Sequence, residues 1–460
     1  MRRRDFLGSA AGAAAAQSTR PPNVVFVLTD DHGQWAMGCY GNRELRTPVL
    51  DGLASAGARL TRAFAATPVC SPSRATFFTG KIPSQHGIQD WIRDENVGNQ
   101  ATRFLDGQTA FTRLLADRGY RVGLNGKWHM GDSATPQQGF SWWFAMPTGG
   151  TPKTYQDAEM IWKGEQRVWP GYITDVITDK AIEFIEESRR DPFFCFVGYN
   201  APHTPYAGTP QKYLAMYRDS PLAAFPDEPL NALNTGLGRA NHRRRESMMH
   251  YYGMITALDE NVGRIVRQLE ELKLRDNTLI VFAADQGFMC GHHGLWGKGN
   301  ASWPFNMYED SILMPMIWNH PGRIPPGRVV DAMVSTYDFA PTMLDYLGVR
   351  NDLGRSYAPL VEGRKTPWRN VVYGEYQYTR MVRNERWKYV RLSEGFPSEL
   401  YDLKSDPGER RNLAGERAAA GRLRELGANL DRWFAARGCA SPDSWKATRQ
   451  VLPTYKAQGT

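Results

Sequence analysis

The chain has 460 residues, 42% of them apolar and 12% aromatic, enough for a large folded core. Its net charge of +8 suits an anionic ligand; no internal basic run exceeds Arg243-Arg244-Arg245, which reads as a solvated loop or helix start, so a nucleic-acid footprint is excluded. No run of about 18 or more apolar residues occurs, so neither a transmembrane helix nor stable membrane insertion is expected.

Residues 1–16 read as a targeting segment. Arg3-Arg4-Asp5-Phe6-Leu7-Gly8 resembles a twin-arginine export signal. A Gly/Ala run follows and ends at Ala14-Ala15-Ala16-Gln17, a small-residue cleavage site. The expectation is a periplasmic or secreted protein that crosses the twin-arginine machinery already folded. The competing reading is a disordered basic leader.

Asn23 to Leu28 is a short β-branched apolar run between Pro22 and Thr29-Asp30-Asp31, the pattern of a buried parallel strand ending at a site loop. Thr109 to Arg118 has helical spacing, with Phe111, Leu114 and Leu115 on one face, and Tyr120 to Leu124 reads as a strand. Thr174 to Arg189 predicts a helix, Phe193 to Tyr199 a second apolar strand, and Glu246 to Leu272 a long helix. Thr278 to Ala284 is a third such strand, ending at Asp285. This alternation implies an α/β fold, a large mainly parallel sheet sandwiched by helices, with ligand sites at the carboxyl ends of its strands. Asp30, Asp31 and Asp285 all fall at such ends.

The last hundred residues differ. Val371 to Glu375, Thr379 to Val382, Lys388 to Leu392 and Leu400 to Leu403 predict a small antiparallel sheet, and Ala418 to Ala436 a helix packed on it. A boundary is expected near the polar Gly363-Arg364-Lys365, separating a body of residues 17–365 from an α+β subdomain of residues 366–460.

The five cysteines, Cys39, Cys70, Cys195, Cys290 and Cys439, are odd in number and include no close pair of the zinc-site kind. Cys70 opens the run Cys70-Ser71-Pro72-Ser73-Arg74. A cysteine in an apolar stretch is usually a small buried hydrophobe. Here Ser71 could serve as an N-cap and Pro72 suits a first turn. A helix starting there aims its free N–H groups and positive dipole end at an anion. Arg74, one turn on, shares a face with Cys70.

Asp30 and Asp31 repel one another, a cost that a cation removes. With Asp285-Gln286 they make an oxygen-rich set suited to a hard divalent ion; a loop start or helix cap is the alternative. Lys127-Trp128-His129 follows a strand and reads either as site residues or as an exposed strand end. His203, in Asn200-Ala201-Pro202-His203-Thr204-Pro205, sits in a Pro-rich loop at a strand end, though a lone histidine is more often structural. Lys298, within Gly297-Lys298-Gly299, is a loop lysine or a solvated turn. His292 and His293 read as orienting residues, one of them lining the site. Trp35, Trp91, Trp128, Trp142, Trp143 and Trp303 include candidates for sugar stacking, though most tryptophans are packing residues.

In this order, across residues 24 to 300, the pieces resemble a type I, formylglycine-dependent sulfatase of the alkaline phosphatase-like superfamily. Cysteine, one residue, proline, one residue, arginine is the pattern that family presents to its modifying enzyme. Tyr308-Glu309 and Leu400-Tyr401-Asp402-Leu403 with Asp406-Pro407 are later landmarks, so the resemblance covers nearly all of the mature chain.

The resemblance implies that a formylglycine-generating enzyme converts Cys70 to Cα-formylglycine, which hydrates to a gem-diol. It implies a calcium ion, with magnesium as the alternative, held by Asp30, Asp31, Asp285, Gln286 and the modified Cys70. Gln286 stands where the family more often has Asn or His; its carbonyl has a longer reach. By the same resemblance Arg74 holds the diol, Lys127 and Lys298 bind sulfate oxygens, His203 contacts the leaving oxygen, and His129 is a base near the diol. One diol oxygen attacks sulfur, the alcohol leaves protonated, and loss of the second hydroxyl proton then expels sulfate and restores the aldehyde. The expected substrate is a sulfated carbohydrate. The alternatives are a phosphonate monoester or phosphodiester hydrolase of the same superfamily and, from another class, a non-catalytic sulfated-glycan-binding protein with Cys70 unmodified.

Overall fold

A ten-stranded sheet runs through the molecule in the computed structural model, which describes residues 20–92, 103–147, 151–392 and 395–439. The export-type leader expected over residues 1–16 lies outside the described residues. In chain order the strands are β1 (Asn23–Thr29), β2 (Ala58–Leu60), β3 (Arg121–Gly126), β4 (Trp142–Ala145), β5 (Glu159–Trp162), β6 (Glu165–Val168), β7 (Phe193–Gly198), β8 (Thr278–Ala284), β9 (Met316–Asn319) and β10 (Arg328–Val330). Across the sheet they lie in the order β10-β2-β9-β8-β1-β7-β3-β4-β5-β6.

The five central strands, β8-β1-β7-β3-β4, pair in parallel. Every residue of β1, β7 and β8 is buried, as their unbroken apolar runs require. The flanks depart from the expected pattern. β9 runs antiparallel to β8, and β5 antiparallel to β4, so the sheet is mixed. The flanking strands are short, and β6 is exposed along its length, so neither shows the long apolar signature of a buried parallel strand.

Alternate residues of β1 serve two cores. Val25 and Val27 pack with Ile177 and Phe184 of helix Ile173–Ser188 and with Ile255 and Leu258 of helix Arg245–Glu271. The latter helix is amphipathic: Tyr251, Met254, Ile255, Leu258, Val262, Ile265 and Leu269 recur at three- and four-residue spacing and are buried. Val24, Phe26 and Leu28 face the other way, onto Phe77 and Phe78 of helix Cys70–Thr79. Phe26 lies 5.7 Å from Phe77 and stacks on Phe339 at 4.6 Å. Each such burial contributes about 1.5–3 kcal/mol. The helix expected from Thr109 shrinks to Phe111–Ala116, ending before Gly119, which takes a positive φ of 83°.

The C-terminal part forms a separate four-stranded antiparallel sheet (Val371–Tyr376, Thr379–Asn384, Trp387–Arg391, Glu399–Asp402). Helix Ala420–Ala435 lays Leu426, Leu430 and Phe434 over its Tyr373, Val382, Tyr389 and Leu400. A buried ionic cluster ties this sheet to the body. Lys388, fully buried, pairs with Glu309 at 3.1 Å and Glu409 at 2.5 Å, while Arg383 holds Glu309 at 3.1 Å.

Gly126 closes β3 with φ 108°, and a Cβ there would lie 2.1 Å from the Gly198 carbonyl oxygen. Gly126→Ala is expected to cost about 2–4 kcal/mol in denaturant unfolding, from backbone strain plus the clash. An unchanged midpoint would contradict that close approach.

Candidate active site

Four strand ends and one helix start converge. β1 leads into Asp30 and Asp31, and Asp31 takes a left-handed φ of 62°, which aspartate tolerates. β8 leads into Asp285 and Gln286, whose chain is locked to β1 by the bond from Asp285 N–H to the Thr29 carbonyl at 3.0 Å. β3 leads into Lys127 and β7 into the loop carrying His203. Cys70 is the first residue of its helix.

The cap of that helix lies two residues before the expected Ser71. Val69 is the extended N-cap residue, and its carbonyl accepts the first helical bond, from Ser73 N–H at 3.2 Å. Ser71 lies in the first turn, where its Oγ instead accepts the Ile92 N–H at 3.0 Å. Pro72 is in that turn too, where a missing N–H costs no bond. All ten residues of the helix are buried.

The Cys70 thiol points into a charged cluster. It donates to Asp30 Oδ1 at 3.3 Å and accepts from Lys298 Nζ at 2.6 Å. Burial and Asp30 push the thiol up to about 12, against Lys298 and Lys127, so the unmodified sulfur is a weak nucleophile at neutral pH. Lys298 also donates to Asp31 Oδ1 at 2.6 Å. Burial opposes its charge, but Asp31, Cys70 and Asp30 outweigh that and hold it protonated. Lys127 pairs with Asp30. Arg74, fully buried, donates from Nε to Asp285 at 3.0 Å, from Nη2 to Asp30 at 3.4 Å and from Nη1 to the Lys127 carbonyl at 3.1 Å.

Three carboxylates therefore face three cations. Burial alone would neutralise Asp30, yet Lys127, Lys298, His203 and Arg74 hold its carboxyl well below the usual range. Asp285 goes the other way, raised to about 7 by burial and by Asp30 despite Arg74.

Asp30, Asp31, Cys70 and His203 bring their ligand atoms within 4.8 Å of one another. His203 thus joins the set expected to hold an ion, while Asp285 turns toward Arg74. Gln286 donates from Nε2 to Asp31 Oδ1 at 2.7 Å, and its buried Oε1 has no donor. His203 Nδ1 contacts the Thr204 carbonyl, so Nδ1 carries the proton and Nε2 faces Asp31 Oδ2 at 3.4 Å. Acceptors facing acceptors, and an orphaned amide oxygen, fit a hard cation.

His129 lines the pocket above Cys70. Its Nε2 lies 2.9 Å from the Ile92 carbonyl, which fixes the proton on Nε2 and leaves Nδ1, buried and unpartnered, as a bare lone pair. The pocket, about 440 Å³, also includes Trp91, Lys153, Thr204, Trp296 and Asn300. Trp91 is the one pocket-lining residue among the six tryptophans singled out; Trp128, Trp142 and Trp143 are buried in packing. Trp296 and Asn300, two residues to either side of Lys298, reach the pocket without any motif in the sequence to mark them. His292 and His293 do not line the pocket: His293 stacks on Tyr308 at 3.7 Å and both approach Asp310. All five cysteines are free, Cys39 alone being only partly buried. Among the described residues no helix is long and apolar enough to cross a membrane.

A family model described as sulfatase matches residues 22–349, and one described as the C-terminal part of N-sulphoglucosamine sulphohydrolase matches residues 291–435. An N-acetylglucosamine-6-O-sulfatase of Bacteroides thetaiotaomicron is 29% identical over 89% of this chain and 86% of its own length. An ulvan-active sulfatase of Formosa agariphila is also 29% identical, over 94% of this chain and 84% of its own. A structure solved with its substrate, D-glucosamine-2-N,6-O-disulfate, superposes with a TM-score of 0.78 at 27% identity, covering 92% of this chain and 99% of that one.

Proposed function

The chain belongs to the sulfatase family, and on that premise we propose that it releases inorganic sulfate from a sulfated carbohydrate, using formylglycine made from Cys70 and a calcium ion. The observation that carries this reading is the seat of Cys70: the first residue of a buried helix, with Lys298 and Asp30 in contact, at the wall of a pocket of about 440 Å³. The sugar assignment is supported by relatives that act on N-acetylglucosamine-6-O-sulfate and on ulvan, and by the neighbour bound to a glucosamine disulfate.

The hydrated aldehyde supplies two hydroxyls on one carbon, one to attack and one to lose its proton later. Asp30, Asp31, Gln286, Asp285 and the side chain of residue 70 would hold the cation, with His203 close by; a bound divalent ion adds positive charge where sulfuryl oxygens gather it. Lys298, kept protonated by Asp31, aims Nζ into the same space, and Lys127 stands behind Asp30; both offset charge on the transferring group. Arg74 fixes Asp30 and Asp285 in place. His203 Nε2, 3.4 Å from Asp31 Oδ2 at the pocket wall, would in the imidazolium form give the leaving oxygen its proton, and His129 presents its bare Nδ1 as proton acceptor. We read residues 17–365 as the catalytic body, residues 366–460 as a supporting subdomain, and the leader as directing export.

The test is a mass measurement with an assay. The Cys70 peptide is expected about 18 Da below its unmodified mass, the stoichiometry of a thiol replaced by the carbonyl needed for covalent catalysis. Hydrolysis of an aryl sulfate should exceed that of phenyl phosphonate and fall on chelation. An unmodified Cys70 in active protein, or faster phosphonate cleavage, would overturn the assignment.

A further inference from the structure

We propose that the seam between the body and the C-terminal sheet is a second binding groove, for a sulfated polysaccharide chain, with Arg355, Arg369 and Arg437 as its sulfate contacts. The proposal rests on the sulfated-carbohydrate reading above, but it concerns binding at a place remote from the chemistry.

The seam holds a cavity of about 1120 Å³, and none of its lining residues lines the catalytic pocket. Gly80 and Lys81, at the far end of helix Cys70–Thr79, form part of its wall. Ten residues at about 1.5 Å rise put that end about 15 Å from Cys70. A single sulfated sugar in the catalytic pocket cannot reach the seam, so occupancy of one cavity is separable from occupancy of the other.

The charge is one-sided. Lys81, Arg355, Arg369 and Arg437 line the cavity against Asp338 and Asp352, and Asp338 is buried beneath the surface. Arg355 reaches Asp338 only at 3.8 Å. Among the described residues Arg369 and Arg437 have no carboxylate within ion-pair distance. A concave wall carrying unmatched guanidinium groups concentrates anions.

Two of these guanidinium groups are also held in position. Arg355 lies over the ring of Trp368 at 4.5 Å, and Arg437 over Trp433 at 3.7 Å. Trp433 is backed in turn by Tyr373, stacked at 4.3 Å. Arg355 donates from Nη1 to the Arg369 carbonyl at 3.5 Å and Arg437 from Nη1 to the Trp433 carbonyl at 3.2 Å; the remaining N–H groups of each can meet the oxygens of a sulfate group. Both cation-bearing aromatics therefore preorganise donors rather than offer bare faces to sugar rings.

Binding of fluorescein-labelled dextran sulfate, followed by anisotropy at low salt, tests this apart from turnover. Wild-type protein is expected to bind it and to release it as salt rises. Arg355→Gln/Arg369→Gln is expected to bind about tenfold more weakly, from two lost anion contacts, with nitrophenyl sulfate hydrolysis unchanged. If that double variant melts early, Arg437→Gln is read in the same way. Unaltered binding in the variants overturns the proposal. So does displacement of the polymer from wild type by saturating nitrophenyl sulfate, which would put it in the catalytic pocket. Equally tight, equally arginine-dependent binding of duplex DNA would overturn the assignment to a sulfated polysaccharide, since the patch would then read charge alone. Loss of sulfatase activity with dextran sulfate binding intact would instead sink the proposed reaction and leave the groove standing.

Discussion

Cys70→Ser is expected to end steady turnover while the fold survives. Residue 70 is 2% exposed and fits its site as a small side chain, so serine changes little volume. Its hydroxyl can accept from Lys298 and donate to Asp30 as the thiol does. The expected change in unfolding free energy is about 1 kcal/mol or less. Chemistry is another matter. A serine oxygen that takes the sulfuryl group becomes an ordinary ester, with no second hydroxyl on the same carbon whose deprotonation could expel sulfate. The variant should therefore release at most one alcohol per chain, with steady-state turnover down at least about 10⁴-fold, the scale of losing a covalent step. Rapid-quench counting of alcohol and of sulfate separately checks this. Continued release of both at a wild-type ratio would remove the need for an aldehyde.

Arg74→Met is expected to be the most damaging change to stability in the site. Arg74 is completely buried, bridges Asp30 and Asp285, and caps the Lys127 carbonyl. Removing one partner of a buried ionic cluster leaves carboxylates without compensation, a loss of about 3–5 kcal/mol. Lysine should rescue poorly, because one ammonium cannot span two carboxylates and a carbonyl in the geometry of a planar fork. Unfolding by denaturant in the presence of chelator reads the effect without help from bound cation. Arg74→Met/Asp285→Asn should recover part of the loss, since the orphaned charge is then removed too. A double variant no more stable than Arg74→Met would place the cost elsewhere.

The central strands were legible because they are buried on both faces. Asn23–Thr29, Phe193–Gly198 and Thr278–Ala284 have no polar interruption, and the acids that follow them stand out by contrast. Antiparallel β9 is buried but only four residues long, and the β5–β6 hairpin is short and partly exposed, so neither carries such a run. The helix and its cap lie two residues earlier than a Ser71 cap would place them; the Ile92 amide claims the Ser71 hydroxyl instead, a contact across 21 residues that no local pattern encodes. The candidate site residues were named from strand ends and from the family pattern. Trp296 and Asn300 were not, since a tryptophan and an asparagine beside a glycine carry no chemical signature until the Lys298 loop folds over the pocket. His292 and His293 misled for the opposite reason: histidines attract attention, and these pack on Tyr308 and near Asp310.

The burial of the whole Cys70–Thr79 segment sets an order of events in time. On the proposed reading, an enzyme that edits residue 70 would also have to reach Ser71, Pro72 and Arg74, and in the finished molecule each of them is buried, Ser71 bonded to the Ile92 amide and Arg74 to Asp285. On that reading editing would belong to the nascent chain, before the sheet closes. A chain that folds first is locked out of maturation, so the yield of competent enzyme becomes a race between tailoring and collapse rather than a matter of affinity for the native surface.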